Sequence, residues 1–240
     1  MREEVVRQLA DLNRGFYRGF AAPFAATRMR LQPGVIRALE LIPPDARVLD
    51  LGCGTGDLAS ALQRAGHTGD YTGLDASAEL LAIARIRHPT LADRFREGDL
   101  IAPGWDARLE GSFDCITAFA VLHHIPSERL RAEVVKSLSK LLAPQGMVVL
   151  SVWDFNASER LRARLVPWPR VGLTPADVDP GDALIDWRLG GFGVRYVHAF
   201  GPLELDGLAG SAGLTVVDRY DSDGEGGRLG HYQVWRGPRF

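Results

Sequence analysis

The sequence predicts one α/β domain, built on a seven-stranded, mostly parallel sheet with helices on both faces. Between residues 47 and 153, short apolar runs alternate with stretches of helical periodicity, a pattern typical of parallel strands joined by crossover helices. The run 147–150, Met-Val-Val-Leu, has no polar alternation, as expected of a strand buried on both faces. A length of 240 residues with 46% hydrophobic content is enough for one sizeable core.

Two helices are predicted before the first strand. In residues 2–20 apolar side chains recur at steps of three or four, and a shorter helix begins at Pro33 and extends to residue 41. Prolines 43 and 44 end this second helix. We therefore interpret residues 1–44 as an N-terminal helical extension.

Residues 45–153 are predicted to form the core of the sheet. The expected strands are 47–51, 71–74, one near Phe95, 113–119 and 147–153, and the expected helices are 57–65, 78–88 and 128–142. Crossover helices of this length place successive strands parallel to one another.

The last third of the chain divides into two parts. Regular periodicity fails in residues 154–200, where four prolines and several glycines interrupt the pattern, so we expect an insertion or lid. In residues 201–240 a helix over 202–212 ends at Gly213, and strands over 214–220 and 232–235 complete the sheet.

Composition predicts a cytoplasmic protein with no membrane segment. The N-terminus is charged and lacks a leader-like apolar core, and no apolar run approaches the ~18 residues of a membrane span. Cys53 and Cys115 lack metal-type spacing, so we expect buried reduced thiols and no metal site. A net charge of −2 argues against binding nucleic acid by bulk electrostatics alone, although a local basic face stays open.

The first predicted strand runs into a helix through closely spaced glycines, an arrangement typical of a nucleotide pocket. Gly54, Gly56 and Ala59 also fit the G-x-G-x-x-A pattern of dinucleotide sites. Asp50 separates these alternatives, because its carboxylate would repel a pyrophosphate and attract the ammonium of a methionine group. This favours S-adenosylmethionine (SAM) over NAD, while Asp75, at the end of the second strand, could bind ribose hydroxyls of either ligand.

Five stretches, in order, resemble the class I SAM-dependent methyltransferase superfamily: LDLGCGTG, YTGLD, EGDL, FDCITAFAVLHHI and LLAPQGMVVLSVW. The resemblance covers residues 45–153 and implies a Rossmann-like fold. It implies that the methionine part of SAM lies among Asp50, Gly52 and Gly54, and that Asp75 binds the ribose. Asp99 and Leu100 would flank the adenine. The backbone of Ala118 would contact the amino-acid group, and His123 would face the transferred methyl group. Asp99 could instead cap a turn, and one of His123 and His124 is expected to be structural, with His123 preferred for the pocket.

Three further segments, residues 16–28, 181–187 and 195–200, resemble the wobble-uridine tRNA carboxymethyl methyltransferases. That family esterifies the carboxylate of 5-carboxymethyluridine. An arginine can hold a carboxylate bidentately, so Arg28 and Arg195 are our candidates for the substrate or methionine carboxylate. Other pocket candidates are Tyr17, on the cofactor side, and Trp187, Tyr196 and His198, on the substrate side. The chain departs from the family pattern at Asp186, where proline is common, and at Val197, where an aromatic residue is expected.

We therefore expect in-line methyl transfer from SAM to an oxygen, with the carboxylate of 5-carboxymethyluridine in tRNA as one acceptor. A carboxylate needs placement more than a base, so His123 is only a candidate base. A small-molecule O- or N-methyltransferase is the alternative, followed by a catalytically idle SAM-binding regulatory subunit and, remotely, an NAD-linked enzyme. The expected partner is tRNA or a small-molecule acceptor, and a small activating protein partner is left open.

Overall fold

The computed structural model describes residues 1–28 and 30–237. Within them, the α-helices are α1 (Glu3–Ala26), α2 (Pro33–Leu39), α3 (Asp57–Arg64), α4 (Ala78–Arg87), α5 (Glu128–Leu141), α6 (Glu159–Arg162) and α7 (Glu204–Ser211). The strands are β1 (Val48–Leu51), β2 (Tyr71–Asp75), β3 (Phe95–Glu97), β4 (Phe113–Phe119), β5 (Leu142–Trp153), β6 (Leu165–Val166), β7 (Asp182–Trp187), β8 (Gly193–His198), β9 (Thr215–Ser222) and β10 (Gly230–Arg236).

Seven strands form the main sheet in the order β3-β2-β1-β4-β5-β10-β9. Strands β1 to β5 run parallel, and β10 is antiparallel to both β5 and β9, which confirms the predicted mostly parallel sheet. The strand order reverses between β1 and β4. In open α/β sheets, ligands bind outside the carboxyl ends of the strands at such a switch point.

The sheet is buried on both faces, which explains the continuous apolar run in β5. Val148 and Leu150 pack into one hydrophobic cluster together with residues of α5 and α7. Met147 and Val149 point to the opposite face and pack with residues of α2, α3 and α4. Neighbouring side chains of one strand therefore serve two separate cores.

A second, three-stranded antiparallel sheet in the order β6-β7-β8 lies within the predicted insertion, residues 154–200. Leu184 and Tyr196 pack this small sheet against Val5 and Leu9 of α1. Helix α1 extends six residues beyond the predicted end at residue 20, and the backbone at Phe20 departs from helical geometry with φ −118° and ψ 17°. That residues 154–200 act as a mobile lid stays a prediction.

Among the described helices, none combines the length and the apolar character that a membrane crossing requires.

Candidate functional site

A cavity of about 820 Å³ lies at the carboxyl ends of β1, β2 and β4. The turn after β1 and the ends of the neighbouring strands form one side of it. Helix α1 lines another side through Asn13 and Tyr17, Arg28 follows the end of this helix, and the second sheet contributes Trp187 and Arg195. Residues of the N-terminal extension, of the core of the sheet and of the insertion therefore all line the cavity, and the sequence placed candidate residues in each of these three regions.

The glycine turn after β1 has the geometry that a close ligand approach requires. Gly52 and Gly54 have φ values of 64° and 54°, a region that side chains with a Cβ rarely adopt. A Cβ on Gly52 would lie 2.5 Å from Cγ2 of Val121. Both glycines line the cavity, as does Asp50 immediately before them.

Asp50 is 3% exposed, and both of its carboxylate oxygens accept hydrogen bonds from hydroxyl groups. The Tyr71 hydroxyl donates to Oδ2 at 2.7 Å, and the Thr117 hydroxyl donates to Oδ1 at 2.7 Å. Burial raises the pKa of Asp50 to about 7, although the two hydrogen bonds oppose the shift. This carboxyl is therefore a buried acidic group with no cationic partner among the described residues.

Asp75 closes β2 and faces the same cavity. Its Oδ2 accepts from the Gly54 backbone N–H at 2.8 Å, and its Oδ1 accepts from the Ser77 N–H at 2.8 Å. Burial raises the pKa of Asp75, and the backbone hydrogen bonds lower it. The first of these bonds fixes the carboxylate beside the glycine turn.

Asp99 and Leu100 also line the cavity, and Asp99 has local partners. Its Oδ1 accepts from the Ile101 N–H at 3.1 Å, as a turn residue would, and its Oδ2 forms a 2.8 Å ion pair with Arg14 of α1. The ion pair connects the N-terminal helix to the segment after β3.

Ala118 does not line the cavity. It is fully buried in β4, where it pairs with Leu150. The cavity is instead lined by the three residues after it, which include Ala120, a non-glycine residue with a φ of 57°. The backbone that faces the cavity therefore begins one residue later than the sequence predicted.

The two adjacent histidines follow β4 in a short 3-10 turn, and the structure places His124 rather than His123 at the cavity. His123 is fully buried, stacks on Trp153 with a 4.8 Å centroid distance, and accepts a hydrogen bond from the Trp153 N–H. The expected position of His123 is thus corrected, because the tight turn directs consecutive side chains apart. Burial holds the pKa of His123 well below its usual range.

His124 is held between α1 and β8. Its Nδ1 lies 3.1 Å from the Tyr196 carbonyl oxygen, and its Nε2 lies 2.9 Å from the Tyr17 hydroxyl. Burial, followed by the charge of Arg195, lowers the pKa of His124 to about 3. His124 is therefore neutral at physiological pH.

Arg195 is 4% exposed and lies among aromatic rings. Its guanidinium carbon is 5.3 Å from the ring centroid of Phe16, 4.8 Å from that of Trp153 and 5.8 Å from that of Trp187. Its Nε and Nη1 atoms have no hydrogen-bond partner, and no carboxylate of the described residues forms an ion pair with it. A buried guanidinium with free donors has the chemistry to bind an anion.

Arg28 lines the same cavity and stacks on Phe24 at 5.0 Å. Burial lowers its pKa, as does the charge of Arg195, while Tyr17, Asp57 and Asp223 act in the opposite direction. Arg28 and Arg195 both face the ring of Trp153, with guanidinium carbons 6.0 and 4.8 Å from its centroid. Burial raises the pKa of Tyr17, and the charges of Arg195 and Arg28 lower it.

Tyr196 and His198 do not line the cavity, in contrast to the prediction. Side chains alternate along a strand, so Arg195 and the pair Tyr196 and His198 cannot all share one environment. The Tyr196 hydroxyl donates to Asp182 Oδ1 at 2.6 Å. His198 lies between Asp182 and Glu204, with nitrogen-to-oxygen distances of 2.7 and 2.9 Å. These side chains hold the second sheet to α7.

Sequence reasoning missed Asn13, a cavity residue of α1 that is 7% exposed. A signal was present, because Asn13 follows Leu9 by four positions and so lies on the apolar stripe of α1. Cys53 and Cys115 are buried and unpaired, as predicted. Within the described ranges, no group of three or more His, Cys, Asp or Glu side chains could hold a metal ion.

The profile of a methyltransferase domain family matches residues 24–218. A ubiquinone biosynthesis O-methyltransferase from Psychrobacter arcticus is 36% identical over 174 residues, which are 72% of this chain and 60% of the relative. A tRNA (carboxymethyluridine(34)-5-O)-methyltransferase from Arabidopsis thaliana is 30% identical over 141 residues, which are 57% of this chain and 31% of the relative. The chain thus spans less than two thirds of the length of these relatives.

Solved structures share the fold. A SAM-dependent methyltransferase from Methanosarcina mazei aligns with a TM-score of 0.63 and 22% identity over 87% of this chain and 99% of its own. The complex of DhpI with SAM and HEP aligns with a TM-score of 0.68 and 23% identity over 96% of this chain and 98% of its own. Together with the profile match and the geometry of the glycine turn, these findings show that the chain belongs to the SAM-dependent methyltransferase family, with SAM as cofactor.

Proposed function

We propose that this protein methylates an oxygen of an acceptor carboxylate and so forms a methyl ester. The observation that carries the proposal is Arg195, a guanidinium at 4% exposure with two unpartnered nitrogens beside the cavity. An unpaired buried charge is costly, and a carboxylate is an anion that can compensate the charge of a guanidinium and accept from its free donors. The aromatic rings around Arg195 exclude water from the same place.

The cofactor is proposed to occupy the part of the cavity nearest to the glycine turn. Gly52 and Gly54 allow its methionine part to approach the backbone, and Asp50 attracts the ammonium group. Asp75 is positioned for ribose hydroxyls, while Asp99 and Leu100 bound the adenine end. Arg28, which also lines the cavity, is proposed to hold the methionine carboxylate, and Arg195 is proposed to hold the acceptor.

The groups beside Arg195 favour an acceptor that is already ionised. His124, with a pKa of about 3, is a weak base, and Tyr17, whose pKa is raised by burial, keeps its proton. Neither side chain is suited to deprotonate a phenol or an alcohol. An ionised carboxylate has a nucleophilic oxygen and needs only placement in line with the methyl group.

When bound, SAM supplies a methyl group on a sulfonium centre, and its transfer leaves S-adenosylhomocysteine. A carbon–sulfur bond breaks, the electron pair of that bond stays on sulfur, and a carbon–oxygen bond forms at the carboxylate. The negative and positive charges cancel, so no proton transfer is required. The role of the chain is to orient both groups and to exclude water.

Two acceptor classes remain candidates, each supported by a different observation. The higher identity to the ubiquinone biosynthesis O-methyltransferase supports a small molecule. Two observations support tRNA. One is the similarity to the carboxymethyluridine enzyme. The other is that four further arginines line the cavity, and none of them forms an ion pair within the described part of the chain. These are Arg18, Arg30, Arg160 and Arg164, the kind of basic rim that phosphates would contact.

The test is methyl transfer to matched acceptors. The purified protein is incubated with SAM and with aliphatic and aromatic carboxylic acids, each paired with its own amide, and S-adenosylhomocysteine is quantified. Carboxymethyluridine-containing tRNA is treated in parallel, and its nucleosides are analysed by mass spectrometry. We expect turnover with an acid or with the tRNA and none with the amides. Turnover of phenols or amines instead would refute carboxylate methylation.

Calorimetry distinguishes a SAM site from an NAD site and, together with the turnover assay, an enzyme from an idle SAM-binding subunit. We expect binding of SAM and no response to NAD, whereas the reverse result would refute the assignment of the cavity. Binding of SAM without turnover of any acceptor would indicate an idle regulatory subunit.

A further inference from the structure

We propose that Asn13 is a positioning residue that sets the orientation of the Arg195 guanidinium through His124 and Tyr17. The inference rests on the proposed function, since it assigns Arg195 to the acceptor. Asn13 itself is separated from Arg195 by this chain of contacts, so its effect is indirect.

The side-chain amide of Asn13 makes three hydrogen bonds, and all of them end on backbone atoms. Oδ1 accepts from the Tyr196 N–H at 2.8 Å, and Nδ2 donates to the carbonyl oxygens of Tyr196 and His124, each at 3.1 Å. The amide therefore joins α1 to β8 and to the turn after β4. Since Tyr196 directly follows Arg195, these bonds fix the backbone from which Arg195 projects.

The Tyr196 carbonyl oxygen that Asn13 binds also contacts the His124 ring and determines which nitrogen of that ring carries the proton. The Tyr196 carbonyl oxygen can only accept, so Nδ1 at 3.1 Å from it must be the donor. Nε2 of the neutral ring is then an acceptor, and the Tyr17 hydroxyl at 2.9 Å donates to it. The proton of Tyr17 is thereby directed away from Arg195.

With its proton on the His124 side, the Tyr17 oxygen has lone pairs left for a donor. Arg195 lies close enough for its positive charge to lower the pKa of Tyr17. The Tyr17 oxygen is therefore available as an acceptor for the guanidinium, whose Nε and Nη1 have no partner. A rotated His124 with the proton on Nε2 would turn the Tyr17 hydroxyl toward Arg195, donor against donor, and would remove this acceptor.

A purely structural role for Asn13 makes different predictions. If Asn13 only stabilised α1, its loss would lower the free energy of unfolding and leave the His124 tautomer and the acceptor KM of the folded enzyme unchanged. If it positions Arg195, its loss acts on the acceptor and not on SAM, because the glycine turn makes none of these contacts.

The experiment compares Asn13→Ala, Tyr17→Phe and the double variant, with the exposed Asn156→Ala as control. We expect Asn13→Ala to raise the acceptor KM at least tenfold and to change the Kd of SAM by less than about twofold. The double variant is expected to show far less than the product of the single effects, because both substitutions release the same guanidinium. Additive effects, or an unchanged KM in folded Asn13→Ala, would overturn the proposal.

Nitrogen-15 NMR of the histidine rings provides a readout that needs no substrate and no folded Asn13 variant. In the wild-type protein the His124 signal, identified by its loss in His124→Gln, is expected to show a protonated Nδ1 and an unprotonated Nε2. A protonated Nε2 would refute the inference even if methyl transfer is observed. If no acceptor is turned over, the proposed function fails, but the tautomer of His124 still tests the hydrogen bonds that connect His124 with Tyr196 and Tyr17.

Discussion

Replacement of Asp50 by asparagine is expected to stabilise the cofactor-free protein at alkaline pH and to weaken SAM binding. The Asp50 carboxyl is 3% exposed, and its two hydrogen-bond donors, Tyr71 and Thr117, are neutral. Its pKa rises from 3.8 to about 7 on folding, mainly because burial disfavours the charged form. The folded protein therefore binds this proton more tightly than the unfolded chain does.

The sign of the pH effect follows from this difference. Stability from the neutral carboxyl is fully present below pH 3.8 and is lost as pH rises to about 7. The shift of about three pKa units corresponds to about 4 kcal/mol at most. Between pH 5 and pH 8 the loss is about 3 kcal/mol, and above pH 8 little further change is expected. Asparagine does not titrate, but its amide cannot accept from both hydroxyls, which costs about 1 kcal/mol.

Urea denaturation at pH 5 and pH 8, without SAM, measures the difference between Asp50→Asn and the wild-type protein. We expect the relative stability of the variant to increase by about 3 kcal/mol from pH 5 to pH 8. The exposed Asp45→Asn serves as control and should show no such trend. In calorimetry, loss of the ammonium partner should raise the Kd of SAM at least tenfold, a change of about 1.4 kcal/mol. A stability difference independent of pH would refute the reasoning.

Three further substitutions test separate parts of the site. Gly52→Ala should lower the free energy of unfolding by about 1–3 kcal/mol and impair SAM binding, because the new Cβ would clash with Val121. The control is Gly66→Ala, at a φ of 81° and with open space around the Cβ, which should leave the Kd of SAM unchanged. Arg195→Lys should raise the acceptor KM at least tenfold with little change in the Kd of SAM, since lysine lacks the planar donor pair; an equal loss of SAM affinity would place Arg195 at the cofactor. His198→Phe should lower the free energy of unfolding by about 1–3 kcal/mol, because Asp182 and Glu204 each lose one hydrogen-bond partner while they keep Tyr196 and Arg131. A stable His198→Phe protein with a raised acceptor KM would restore His198 to the substrate side.

The main sheet and the cofactor side could be predicted because their signals are local. Strand β4 was placed at its observed bounds from its apolar pattern, and the spacing of Asp50, Gly52 and Gly54 in one turn brings them to the same cavity. Strands β7 and β8 were missed because they bury Asp186, Arg195 and His198, which disrupt the expected alternation. Their burial depends on partners from other elements, such as Glu204 of α7.

The acceptor side depends on packing that no local pattern specifies. The choice between His123 and His124 follows from the turn after β4 and from the contact of His124 with Tyr17, which is 107 residues away. The face of β8 on which Arg195 lies was not predictable without the position of α1. Asn13 could have been found as a polar residue in an apolar stripe, but its partners could not.

The most direct test of the central claim is the chemical nature of the methylated product. The protein is incubated with SAM that carries a carbon-13 methyl group and with the acceptor that gives turnover, and the product is then treated with mild base. Methylation of a carboxylate predicts labelled methanol in an amount equal to the S-adenosylhomocysteine formed, and strongly reduced formation of both with Arg195→Ala. Label that stays in a base-stable ether or amine would contradict the account.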